Sequence, residues 1–237
     1  LTSPSRYRTA CLLLALATTI IPLAPAQQPA SRTLIFLDPA HGGPDTGAHL
    51  PNNLLEKDIT LAFAARLRSA LGASGFSVIS TRDTDPVALL TTDQRAEIGN
   101  HARPAACLIL HASSSGAGVH VITSALPSVS ESEEPRAAIP WDTAQAAFIP
   151  QSLSLANEIG LSLERAKLPV ILSHASLRPV DNLTCPAVAI EIAPLTVADN
   201  NPTPVNDAGY QAKVAKAIAA ALVSWRNHNA PAPGAAR

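Results

Sequence analysis

Three uninterrupted apolar runs, each leading to a residue that can bind a metal or move a proton, restrict this chain more than any other feature. Leu34-Ile35-Phe36-Leu37 runs through Asp38, Pro39 and Ala40 to His41; Cys107-Leu108-Ile109-Leu110 runs straight to His111; Val188-Ala189-Ile190 runs to Glu191. Runs with no polar alternation read as strands buried on both faces, here over 33–38, 106–111 and 186–192. Further strands are expected over 76–81 and around Val119 and Val121. Between them lie segments in helical phase: Ile59, Phe63, Leu67 and Leu71, starting near Asn53 as N-cap; Leu155, Ile159, Leu163 and Ala166; and Tyr210, Val214, Ile218, Ala221 and Trp225. A shorter helix is expected over 92–102. Strands alternating with helices predict an α/β fold, a single mixed, mostly parallel sheet with helices on both faces. Sites in such folds gather beyond the carboxyl ends of the strands, which is where His41, His111 and Glu191 fall.

The chain has 237 residues and a formal net charge of −1, with 15% charged and 3% aromatic residues. That suits one domain, placed at 33–228, with an insertion at 124–150. The insertion holds four prolines and Glu131, Glu133 and Glu134, and reads as a surface excursion with no core of its own. A near-neutral chain poor in aromatics offers no footprint for nucleic acid. Residues 1–26 have the layout of a signal peptide: Arg6 and Arg8, a charge-free run over 10–23, then Ala24-Pro25-Ala26. That run, about 14 residues, is short of the ~20 needed to span a bilayer. The expectation is a periplasmic or secreted protein with no stable membrane span after cleavage. Residues 27–32 form a short lead, too short for a wall-binding module, and 229–237 a flexible tail. Cys107 and Cys185 each precede a strand; they are either a disulfide between neighbouring strands or two buried thiols.

A carboxylate delivered by an apolar strand needs a partner or a cation, and Glu191 is in that position. Glu56 lies at the start of the first helix, after a glycine-rich loop. Two neutral imidazoles and one carboxylate make a ligand set for catalytic Zn²⁺, leaving a fourth position to water. His41, Glu56 and His111 are therefore the candidate zinc ligands, and Glu191 the candidate base that takes a proton from water. Gly42 and Gly43, lacking Cβ, let the chain turn sharply beside them. Asp38 and Asp45 are turn residues or acceptors for a ligand imidazole. His49, His101, His120, His174 and His228 have no comparable setting, although His174 could reach the site from a loop.

These residues sit in motifs that resemble a known family, the exported zinc-dependent N-acetylmuramoyl-L-alanine amidases (amidase type 3). "IFLDPAHGGPDTGA" (35–48) is similar to its opening zinc-histidine motif. "EKDITLAFAARLRSALGASGFSVISTRDTD" (56–85) resembles its glutamate-ligand helix, the next strand and the Arg-x-x-Asp after it. Arg95 and Asn100 before "LILHAS" (108–113) resemble the approach to its second histidine, and "GVHVIT" (118–123) and "PAVAIEI" (186–192) its later strands. The likeness runs from about Thr33 to Trp225. It implies His41, Glu56 and His111 as zinc ligands, Glu191 as the catalytic carboxylate, and peptidoglycan as partner, cut at the amide between the muramic acid lactyl group and L-alanine. It also implies a protein activator acting on the segment before the catalytic strand. Ala40, Ser113 and the stretch "IAPLTVADN" after Glu191 depart from the family pattern. The same residues would also serve a zinc peptidase on wall or other peptides, or a catalytically weak peptidoglycan-binding protein.

Overall fold

The structure, a computed structural model, describes residues 32–129, 140–196 and 202–229. The signal-peptide reading, the acidic group of the insertion and the tail beyond Asn229 lie outside them. Six strands form one sheet: β1 (Leu34–Pro39), β4 (Ser77–Ser80), β5 (Ala106–Ala112), β6 (Val119–Ser124), β7 (Val170–Ala175) and β8 (Ala187–Ile192). Their order is β4-β1-β5-β8-β6-β7. Every neighbouring pair is parallel except β6 with β8. The sheet is thus mixed and mostly parallel, as the apolar runs require. Two short strands, β2 (His49–Leu50) and β3 (Leu54–Leu55), form a separate hairpin.

Alternation along the strands divides the core. Ile35, Leu37, Leu108, Leu110, Val188 and Ile190 face three helices: α1 (Glu56–Ala73), α3 (Ile149–Arg165) and α4 (Ala208–His228). Fully burying such side chains contributes about 1.5–3 kcal/mol each. Phe36, Cys107, Ile109, Ala187 and Ala189 face the other way, toward α2 (Thr92–Ala102) and the turn that holds Val180 and Leu183. Cys107 and Cys185 form a disulfide there, with Cα atoms 6.2 Å apart. Thr91 starts α2 with a capping box: its side chain accepts from Gln94 N–H, and the Gln94 side chain accepts from Thr91 N–H.

Three expectations need correction. The first long helix starts at Glu56, not after an Asn53 cap. Asn52 and Asn53 instead take positive φ in the turn of the β2–β3 hairpin, a conformation asparagine tolerates. Strand β7 is an addition: it pairs in parallel with β6 over Val170–Ala175 at the edge of the sheet, with Ile171 and Leu172 exposed. The insertion also has an anchor. Gln145, fully buried, donates to the carbonyls of Leu183 and Cys185 and accepts from Ser152 Oγ. Among the described residues, no helix is long and apolar enough to cross a membrane.

Candidate metal centre

Strand β1 ends in a tightly held corner. Asp38 is fully buried, 2.5 Å from Arg95 Nη1, and accepts from Thr81 Oγ1 at 2.6 Å. Arg95 also donates to the carbonyls of Pro39 and His41, the latter at 2.7 Å. Arg82, from the loop after β4, donates to the carbonyls of Pro39, Ala40 and Lys57. Two buried guanidinium groups from separate segments thus clamp three successive carbonyls. That clamp holds His41 at φ 65, a region costing a non-glycine residue about 1–2 kcal/mol. Asp38 therefore fixes the corner through Arg95, while Asp45 is the acceptor for the imidazole: His41 Nδ1 donates to its Oδ2 at 2.9 Å. This leaves His41 Nε2 facing Glu56, 3.2 Å from Oε2.

Glu56, at the first position of α1, is buried with four hydrogen-bonding neighbours. Its Oε1 lies 2.9 Å from His111 Nδ1 and accepts from Ala112 N–H; its Oε2 accepts from Ala48 N–H. Burial pushes its carboxyl up, but bonds from His111, His41 and the two backbone amides outweigh this and hold it far below the usual carboxylate range. The hydrogen bond to Glu56 in turn raises His41, against desolvation and with help from Asp45. The two imidazoles meet edge to face with centroids 5.4 Å apart. One ligand atom from each of His41, Glu56 and His111 can be chosen so that all lie within 4.8 Å of one another. Gly47 closes over this cluster. At φ +64, a Cβ on it would stand 2.7 Å from His41 Cδ2 and 2.8 Å from Glu56 Oε2.

Glu191 lies beside the trio but outside it. It is the register partner of His111 across β5 and β8. On its other side it meets His120, whose Nδ1 is 3.1 Å from Glu191 Oε1. His120 carried no signal of its own in the sequence. The one available clue was its place between Val119 and Val121, which turns it to the face opposite theirs. His174 is on edge strand β7, its Nδ1 2.6 Å from Thr123 Oγ1, and does not join the cluster.

Residues 35–224 match the family described as N-acetylmuramoyl-L-alanine amidase. The amidase AmiA of Escherichia coli is 26% identical over 84% of this chain and 78% of its own length. The germination-specific amidase of Bacillus subtilis is 51% identical over 26% of this chain, and LytC of the same organism 27% over 81%. The chain spans only 25% and 35% of the lengths of those two relatives. Among solved structures, Ami1 of Mycobacterium smegmatis superposes with a TM-score of 0.65 at 19% identity, covering 83% of this chain and 98% of that one. The CwlD amidase of Clostridioides difficile, solved in complex with the GerS lipoprotein, gives 0.61 at 21% identity over 84% and 100%. At such identities these likenesses speak for the α/β fold, while the match over 35–224 carries the assignment: the chain belongs to the N-acetylmuramoyl-L-alanine amidase family.

Proposed function

We propose that this protein is a zinc-dependent, exported peptidoglycan hydrolase that cleaves the amide between the lactyl group of N-acetylmuramic acid and the L-alanine of the stem peptide. The observation that carries the reading is the convergence of His41, Glu56 and His111 within 4.8 Å, with Glu191 on the adjacent strand and outside that set. Two imidazole nitrogens and a carboxylate oxygen are donors that zinc accepts, and three protein ligands leave a fourth position open. Gly47 packs directly on two of the three donors, since a Cβ there would overlap His41 and Glu56, so the cluster is closed on that side by bare backbone. A zinc ion held by the three donors would supply Lewis acidity, lowering the pKa of water toward ~7 and polarising a carbonyl.

The chain's own groups do the rest. Asp45 fixes the His41 tautomer that keeps Nε2 free to bind. The Arg82 and Arg95 clamp holds the corner that carries His41. Glu191 takes the proton from the attacking water and delivers it to the nitrogen of L-alanine as the C–N bond breaks. Glu191→Ala should keep its zinc and lose about 10²- to 10⁴-fold in turnover.

Mass spectrometry of digested peptidoglycan tests the reading. The expected products are intact stem peptides with a free L-alanine amino terminus, lost on chelation and restored by zinc. Cuts within the stem that leave L-alanine on muramic acid would point to a peptidase. Sacculus binding without released peptide would point to a binding protein. Either result would contradict the amidase reading.

A further inference from the structure

Glu191 is partly exposed and needs something to aim it. Strand β6 runs antiparallel beside β8, with His120 in register with Glu191; β5 runs parallel on the other side, with His111 in register. The three side chains form a row across adjacent strands, on the face shared by Ile109, Ala189 and Ile122. His120 Nδ1 is 3.1 Å from Glu191 Oε1. Its other nitrogen, Nε2, is buried and has no hydrogen-bond partner among the described residues. Gly116 covers that side of the ring: a Cβ there would stand 2.9 Å from His120 Cε1 and 3.2 Å from Nε2. The imidazole is therefore held between a glycine and the carboxylate, and its single polar contact among the described residues is with Glu191.

That arrangement selects a tautomer. A proton on Nε2 would be a buried donor without an acceptor among the described residues. Nδ1, by contrast, lies 3.1 Å from a carboxylate oxygen. We propose that His120 is a positioning residue for Glu191: its Nδ1–H engages Oε1, restricts the carboxylate to one rotamer, and leaves Oε2 to accept the proton of the attacking water. This rests on the reading of Glu191 as the base. A base without that restraint spends much of its time misdirected, and misplacement of about 1 Å is enough to cost ~10²-fold.

The test combines NMR with a double-mutant cycle. In the zinc-free protein, ¹⁵N shifts should show His120 with a proton on Nδ1; a proton on Nε2 alone would overturn the proposal irrespective of any activity. Turnover of a soluble muramoyl-peptide is then compared for the parent, His120→Val, His120→Asn, Glu191→Gln and the His120→Val/Glu191→Gln pair, with zinc content and Tm for each. His120→Val should lower kcat about 10- to 100-fold with KM within about twofold and zinc content unchanged. His120→Asn, whose amide N–H can reach the same oxygen, should recover most of that loss. With Glu191 already replaced by Gln, His120→Val should cost less than about twofold, because the two residues act as a unit. Equal losses in both backgrounds, or a loss that follows zinc content, would make His120 merely structural. A fully active Glu191→Gln would remove the base assignment itself; an unimpaired His120→Val beside a crippled Glu191→Gln would remove the role of His120 alone.

Discussion

Gly47→Ala probes the metal centre without touching a ligand. At φ +64, any L side chain at this position carries a backbone penalty of about 1–2 kcal/mol. The added methyl then meets His41 Cδ2 at 2.7 Å and Glu56 Cβ and Oε2 at 2.8 Å. Ordinary carbon contact begins near 3.5 Å, so both ligands must withdraw by about 0.7 Å. Metal–ligand distances tolerate only about ±0.2 Å. Zinc binding should weaken by about 10- to 100-fold, the scale seen when groups supporting ligands are lost, or ~1.4–2.8 kcal/mol. Gly75→Ala is the control. Gly75 has φ +83, and a Cβ there would meet nothing within 4 Å. Competition with a fluorescent zinc chelator gives the affinities and urea denaturation the stabilities. Both variants should lose stability to backbone strain, Gly47→Ala more because of its added overlap, and only Gly47→Ala should lose zinc. If Gly47→Ala binds zinc as tightly as Gly75→Ala, the cluster is not built around an ion beneath Gly47.

Arg95→Leu strands the fully buried Asp38 carboxylate and should cost about 3–5 kcal/mol by denaturant midpoint, part of it regained on adding Asp38→Leu; no regain would mean that Arg95 acts only on the His41 corner. Replacing Cys107 and Cys185 together by Ala removes a crosslink between positions 78 residues apart and should cost about 2–4 kcal/mol, with zinc affinity unchanged. Stability of the zinc-free protein should depend on pH through the cluster. His41 is raised in the folded state by its hydrogen bond to Glu56, so its contribution is full below about 6.5 and fades as pH rises through the raised value. Glu56 is lowered, burial being outweighed by its hydrogen bonds, so its contribution is full above about 4.5 and is lost on acidification. Tm of the zinc-free protein should show both limbs, and His41→Ala should flatten the alkaline one; a Tm indifferent to that substitution would speak against the pair.

What could be read in the residues follows from burial. β1, β5 and β8 are central, covered on both faces, and so appear as continuous apolar runs; their ends lead to His41, His111 and Glu191. β7 is an edge strand with Ile171, Leu172, His174 and Ala175 exposed, and its Val-Ile-Leu-Ser-His-Ala looks no different from a loop flanking a helix. The start of α1 was obscured because Asn52 and Asn53 serve a hairpin turn, and asparagine suits both a turn and a cap. The four chemical groups were visible as residue types at strand and helix ends, but their grouping depends on pairing. His120 illustrates the limit: nothing in "GVHVIT" says that β6 lies antiparallel against β8 in the one register that sets this imidazole beside Glu191. Asp38 reads in the sequence as a turn residue or an acceptor for a ligand imidazole, whereas its buried pairing with Arg95, 57 residues on, depends on how α2 packs.

The most direct test is anomalous diffraction at the zinc edge from crystals grown with zinc. A single peak should lie about 2.0–2.2 Å from one nitrogen of His41, one of His111 and one oxygen of Glu56, with the Glu191 carboxylate beyond bonding distance. A peak elsewhere, or one that takes Glu191 as a ligand in place of any of the three, would contradict the division of labour between metal-holding and proton-handling residues.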